Sequence, residues 1–146
     1  MDYFLLISAS VISLAGALFH GLVGQQKYMG AVYKSNLEPL TKSLSLVVWH
    51  IFTIFLLVSA IALLCVAYNP SLKLIVYPII GVNLLGCLMF IILGLLGHEI
   101  LLKMPGAYLM GSTVILALLG IWKRKQKEVF IMEALGVLGF VFGMMG

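Results

Sequence analysis

Four stretches of this chain carry no Asp, Glu, Lys or Arg, and each is long enough to cross a bilayer. Crossing the ~30 Å hydrocarbon core takes about 20 helical residues. The first stretch lies between Asp2 and Lys27, with its apolar part over 3–24. The second lies between Lys42 and Lys73, with a helix expected over 43–68. The third covers 74–98 and the fourth 104–122. Each run is continuously apolar, whereas the strands of a membrane barrel would alternate apolar and polar residues. The pattern predicts an all-α membrane protein, an up-down four-helix transmembrane bundle. The apolar tail 129–146 leaves room for a short fifth C-terminal helix, with Gly136, Gly139 and Gly143 on one face with Glu133.

Composition closes off the other classes. Of 146 residues, 63% are hydrophobic and 10% charged, and the mean hydropathy is +1.19. An ordinary soluble domain is about 45–50% apolar and about 25% charged. A water-soluble globule of this length could not hide so much apolar surface. A soluble enzyme, a disordered chain and a nucleic-acid-binding module are thereby excluded, and the lipid bilayer becomes the first partner. The length fits a single transmembrane domain over 1–146. The N-terminal run has no basic n-region and no A-x-A-like cleavage site, so it reads as a retained helix. Cys65 and Cys87 lie inside apolar runs without CxxC spacing and read as packed small residues.

Breakers agree with the division. Asn69-Pro70-Ser71 is a turn between helices two and three. Pro105-Gly106 opens helix four, and Pro78 marks either the start of helix three or a kink in it. The longest loop is expected over 25–42, and the short remaining loops make consecutive helices antiparallel neighbours. Tyr3, Tyr68, Tyr77 and Trp122 would form an aromatic belt at one interface; Tyr28, Tyr33, Trp49 and Tyr108 would form the other.

The formal charge is +4, from nine Lys+Arg against five Asp+Glu. Lys73 and the cluster Lys123, Arg124, Lys125 and Lys127 fall on one side of the bundle; Lys27, Lys34, Lys42 and Lys103 fall on the other. The dense cluster leans toward a cytoplasmic location for both chain ends. It is also a candidate site for anionic lipid headgroups.

The three histidines define the candidate site. His20 lies near the end of helix one, His50 near the start of helix two and His98 at the end of helix three. In an up-down bundle these ends share one side of the membrane. His20 also continues a small-residue stripe of Ala9, Ser13, Gly16 and Gly24, the kind of face that packs on another helix. Imidazole is a common ligand of haem and of transition metals, so His20, His50 and His98 are candidate ligands. Glu38 and Glu99, at the same end, are candidate additional ligands. The alternatives are a hydrogen-bonded polar cluster that holds helix ends together, or unrelated surface histidines. No HxxxH or ExxH pair is present.

Other chemistry is poorly represented. No acidic residue sits within the four runs, as proton-coupled export would need. No acidic partner is placed beside a histidine on a nucleophile turn, and no Gly-rich phosphate loop exists, so no catalytic residue is identified. Asn83, inside helix three, is expected to make an interhelical hydrogen bond or to line a solute path.

The segments His20-Gly21-Leu22-Val23-Gly24-Gln25, Leu37-Glu38-Pro39-Leu40 and Trp49-His50 resemble a pattern in small bacterial four-span membrane proteins. There a first-helix histidine is followed by Gly-Glu or Gly-Gln, and Trp-His opens the second helix. The likeness covers roughly the first 60 residues. It implies a location in the bacterial inner membrane and implies no activity. Gly24-Gln25 stands where the pattern also allows Gly-Glu, so a carboxylate that could ligate a metal is missing. The expected role is a structural or accessory membrane component, packing on other membrane proteins or on further copies of itself. A histidine-liganded haem or metal protein in electron transfer is the alternative, and a small-solute transporter a third.

Overall fold

The structure is a computed structural model that describes residues 2–123. The expected tail helix over 129–146, and the basic positions Arg124, Lys125 and Lys127, lie outside the described residues. Four helices are long and apolar enough to cross a membrane, as an integral membrane protein requires: α1 (Tyr3–Lys34), α2 (Pro39–Tyr68), α3 (Pro70–Leu95) and α4 (Pro105–Lys123). No strand occurs among the described residues. The all-α bundle is therefore as expected, while several boundaries differ.

The largest difference is at α1. It does not stop near residue 24 but continues to Lys34, and over Phe19–Met29 it is a π-helix. The expected long loop shrinks to the few residues before Pro39. Charge marks where hydrocarbon ends, not where a helix ends, and residues 25–34 contain nothing that stops one. The corner is closed by Ser35, whose hydroxyl donates to Val32 O at 2.6 Å, and by Lys42, whose ammonium donates to Tyr33 O at 3.0 Å. Glu38 is extended, as the residue before a proline prefers, and Pro39 occupies the first turn of α2, where no backbone N–H is required.

The α2–α3 turn is built by Asn69. Its side-chain oxygen accepts from Ser71 N at 3.2 Å and from Ser71 Oγ at 2.6 Å. The chain then makes a 3-10 segment over Pro70–Ile75 and becomes α-helical at Val76. Pro78 thus falls in the first α-turn and starts the helix instead of kinking it. Asn69→Ala is expected to cost about 1 kcal/mol, the usual worth of such a cap. A thermal unfolding curve in detergent checks this.

α3 ends at Leu95, and Gly97 turns the chain with φ of 112°, a conformation that favours glycine. A short 3-10 segment over Glu99–Lys103 follows, and its Leu102 folds back onto Gly94.

In lipid, apolar burial gives little drive for helices to associate; close packing and interhelical hydrogen bonds do more. Both are visible. Ser10 Oγ donates to Ala60 O at 2.6 Å, and Ser13 Oγ donates to Leu56 O at 3.0 Å, tying α1 to α2. Gly86 receives Met110, Gly106 lies against Phe90, and Gly111 lies against Cys87, so glycines mediate the α3–α4 contact. Leu6, Leu63, Val66, Val76 and Ala117 form the fully buried centre at the other end of the bundle. Cys65, expected to be packed, is exposed.

Candidate functional site

The small-residue stripe of α1 faces α2, as its spacing predicts. Ala9 and Ser13 are buried, Gly16 is within 4 Å of a Leu56 methyl by its would-be Cβ, and His20 and Gly24 continue the line upward. At His20 the helix widens into its π segment. π-Helical turns leave backbone groups out of the regular ladder and recur at functional sites. The His20 ring lies against α2.

His20 is held on three sides. Its ring stacks on Trp49 with centroids 3.9 Å apart and planes 14° from parallel. Phe52 meets it edge-on at 5.1 Å. Its Nδ1 lies 2.9 Å from Thr53 Oγ1. The Thr53 hydroxyl donates to Trp49 O at 3.3 Å, the ordinary back-bond of a helical threonine. Which of Thr53 Oγ1 and His20 Nδ1 donates in that shorter contact follows from the imidazole tautomer. Trp49 returns the contact, its indole N–H donating to His20 O at 3.2 Å. The two residues thus lock each other through backbone and ring together.

Two glycines permit this approach. A Cβ on Gly21 would meet Thr53 Cγ2 at 3.0 Å, and one on Gly24 would meet Trp49 Cζ2 at 2.8 Å. The latter is closer than real Cβ atoms come. Glycine at position 24 is thus a steric requirement of Trp49.

The other expected ligands do not join His20. His50 is an electrostatic neighbour of His20 but is exposed. His98 lies past the end of α3, after the turn at Gly97, and is exposed. Glu99 and Glu38 are exposed as well. Among the described residues, no three His, Cys, Asp or Glu side chains come together in a way that could hold a metal ion. Of the basic cluster, Lys123 is described, and it is exposed at the end of α4.

Below the His20–Trp49 pair the four helices part around a cavity of about 310 Å³. Its mouth includes the exposed side chains Phe19, Val48 and Met89. Its inner wall includes Leu56, Leu109, Met110 and Thr113. Tyr28 stands beside the mouth, its hydroxyl 3.4 Å from Met104 Sδ and its ring 5.9 Å from Trp49. The wall is almost wholly apolar. Its few hydroxyls are committed: Ser13 to Leu56 O, and Thr113 to Leu109 O at 2.9 Å.

Asn83 is the exception. It is fully buried, with 0% of its surface exposed, and it lines the cavity. Its Nδ2 donates to Ile79 O at 2.9 Å, one turn back on its own helix, and not across to a neighbour as the sequence suggested. That bond fixes the amide orientation and leaves Oδ1 pointing elsewhere. Oδ1 has no hydrogen-bond partner among the described residues. Gln25 Oε1 and Ser59 Oγ are also buried and unpartnered there, but neither residue lines this cavity.

Trp49 and Tyr28 were expected in an interfacial belt, yet both are half-buried at the site. The signal available in the sequence was the α1 stripe: a small-residue face ending in His20, Gly21 and Gly24 needs a large flat partner, and Trp49 is the one at that depth in α2. The chain matches no protein-family model, no curated protein and no solved structure.

Proposed function

We propose that this integral membrane protein resides in the bacterial inner membrane and holds a small lipid-soluble molecule in the cavity between its helices. Its role is accessory, binding or delivering that molecule, with no chemistry assigned to its own residues. The inner-membrane location rests on the resemblance of the His20–His50 region to small bacterial four-span proteins. The observation that carries the binding role is the cavity itself. Leaving 310 Å³ of protein interior empty would cost on the order of 7 kcal/mol at about 24 cal/mol per Å³, an upper bound because the mouth is open. Some apolar body fills such a space at little cost. Pockets of a few hundred Å³ with apolar walls and few polar groups are the usual shape of small-molecule sites.

The histidine-liganded haem or metal reading draws less support, because of the three histidines only His20 lines the cavity. Exposed Lys123 supports an anionic-lipid contact at the end of α4.

Bromobenzene, an apolar heavy-atom quencher, tests the binding role. The chain has two tryptophans, Trp49 beside the cavity and Trp122, which is exposed. A Trp122→Phe variant makes Trp49 the reporter, and a Trp49→Phe variant makes Trp122 the control for partition into detergent or lipid. Quenching of Trp49 is expected to saturate, while quenching of Trp122 rises linearly. Leu109→Phe fills the space, and it should weaken the saturable component about tenfold, for roughly 1.4 kcal/mol of lost fit. Linear quenching at both tryptophans would contradict the binding role.

A further inference from the structure

We propose that the occupant is a phenol, a lipid-soluble aromatic ring whose hydroxyl donates to Asn83 Oδ1 at the inner end of the cavity. This rests on the binding role above and names the class of molecule bound.

Three observations converge. The first is the orphaned acceptor. Buried polar atoms in native structures nearly always have a partner, and a carbonyl left unpaired in an apolar wall carries its full desolvation cost. Asn83 Oδ1 is such an atom, and its amide cannot turn to offer a donor without abandoning Ile79 O. A ligand that satisfies it must therefore bring a donor. The second is the sign of what is missing. Asn83 Nδ2 already has a partner in Ile79 O, so the amide lacks only a donor to its oxygen. A ketone, ester, ether or quinone offers acceptors only and leaves Oδ1 unsatisfied; a hydroxyl compound does not.

The third is the character of the wall. Phe52 and Phe90 lie toward the mouth, and three methionines, Met89, Met104 and Met110, line the space. Thioethers and aromatic edges both favour an aromatic ring over an alkyl chain. The levels fit one ring with an apolar substituent. Gly86 packs on Met110, so Asn83, one turn deeper in α3, comes level with Thr113 in antiparallel α4. Gly106 packs on Phe90 nearer the mouth. A phenol seated on Asn83 places its ring beside Met110 and its para substituent toward Phe90. A phenolic O–H is also a stronger donor than an aliphatic one.

The test uses a matched pair, para-tert-butylphenol and para-tert-butylanisole. The two have the same apolar body, and in the second a methyl group replaces the donating hydrogen. Each is titrated against the Trp122→Phe protein, with displacement of saturable bromobenzene quenching of Trp49 as the readout. The phenol is expected to bind about tenfold more tightly than its methyl ether, the effect of one hydrogen bond to a buried acceptor. Asn83→Leu, similar in volume and lacking the orphaned oxygen, should bring the two affinities together while leaving the ether's affinity nearly unchanged. Equal affinities in the parent protein, or a phenol preference that survives Asn83→Leu, would overturn the phenol assignment and leave the cavity's binding role standing. Saturable bromobenzene quenching that neither compound displaces would overturn the assignment too. Loss of saturable quenching altogether would instead remove the binding role on which it rests. Asn83→Asp reports independently of folding loss in the leucine variant: a neutral carboxyl in this apolar wall keeps a donor for Ile79 O and one free accepting oxygen, so the phenol preference should persist, and its loss there would overturn the assignment.

Discussion

Trp49→Ala is expected to be the most damaging single substitution among the described residues. It removes the ring on which His20 stacks at 3.9 Å, the indole N–H donated to His20 O, and the contact that Gly24 was shaped to receive. Large-to-small changes of a tryptophan cost about 3–5 kcal/mol in packed interiors. Trp49 is half-buried, which argues for the lower part of that range, about 3 kcal/mol. The loss is a packing loss, since lipid would solvate the apolar surface left behind. Thermal unfolding in detergent should show the midpoint falling by roughly 10 °C or more. Trp49→Phe should recover much of it, because a ring remains to stack. If alanine and phenylalanine behave alike, the His20 stack is not what holds this end of the bundle.

Gly24→Val should come second. Its Cβ would stand 2.8 Å from Trp49 Cζ2 and 3.4 Å from Phe19 O. Neither neighbour can yield easily: one is a rigid ring pinned by a stack and a hydrogen bond, the other is backbone. Overpacking of this kind costs about 1–3 kcal/mol, and the branched side chain puts the expectation near 3. Two other glycines serve as references. At Gly86 the clash is with Met110 Cε, the end of a flexible side chain, so Gly86→Ala should cost well under about 1 kcal/mol. At Gly81 nothing lies within 4 Å, and Gly81→Ala should stabilise by about 0.5–1 kcal/mol through helix propensity. Trp49 and Gly24 should also be coupled: in a Trp49→Ala background, the cost of Gly24→Val should fall by about 1 kcal/mol or more. Additive costs would mean that the two residues do not meet.

The helices were legible because the bilayer writes a simple rule into sequence. Runs without charge, broken at Asn69-Pro70 and Pro105-Gly106, place all four spans. Their ends were less legible because charge and helix are different properties. Lys27 ends the hydrocarbon-compatible run but not α1, which continues to Lys34 through a π segment that no periodicity of 3.6 could reveal. The α1 stripe was readable, and so was His20 as its inward-facing member. The convergence of three histidines was a statement about depth along the membrane. It carried no information about rotation around each helix, and rotation is what leaves His50 exposed. His98 turns on a different detail, the positive φ of Gly97, which carries the chain out of α3 before the histidine. Asn83 stood out as a polar residue in a span. That its Nδ2 would satisfy itself within α3, and leave Oδ1 unpartnered beside a cavity, depends on side-chain geometry alone.

The central claim is that the four helices leave an apolar, ligand-accepting space beneath the His20–Trp49 pair. Xenon enters dry apolar cavities and scatters strongly, so a crystal of the protein held under xenon pressure tests the claim most directly. Xenon density bounded by Leu56, Leu109 and Met110, lost in Leu109→Phe, is the predicted result. A fully packed interior at that position, with xenon found only on the lipid-facing surface, would contradict it.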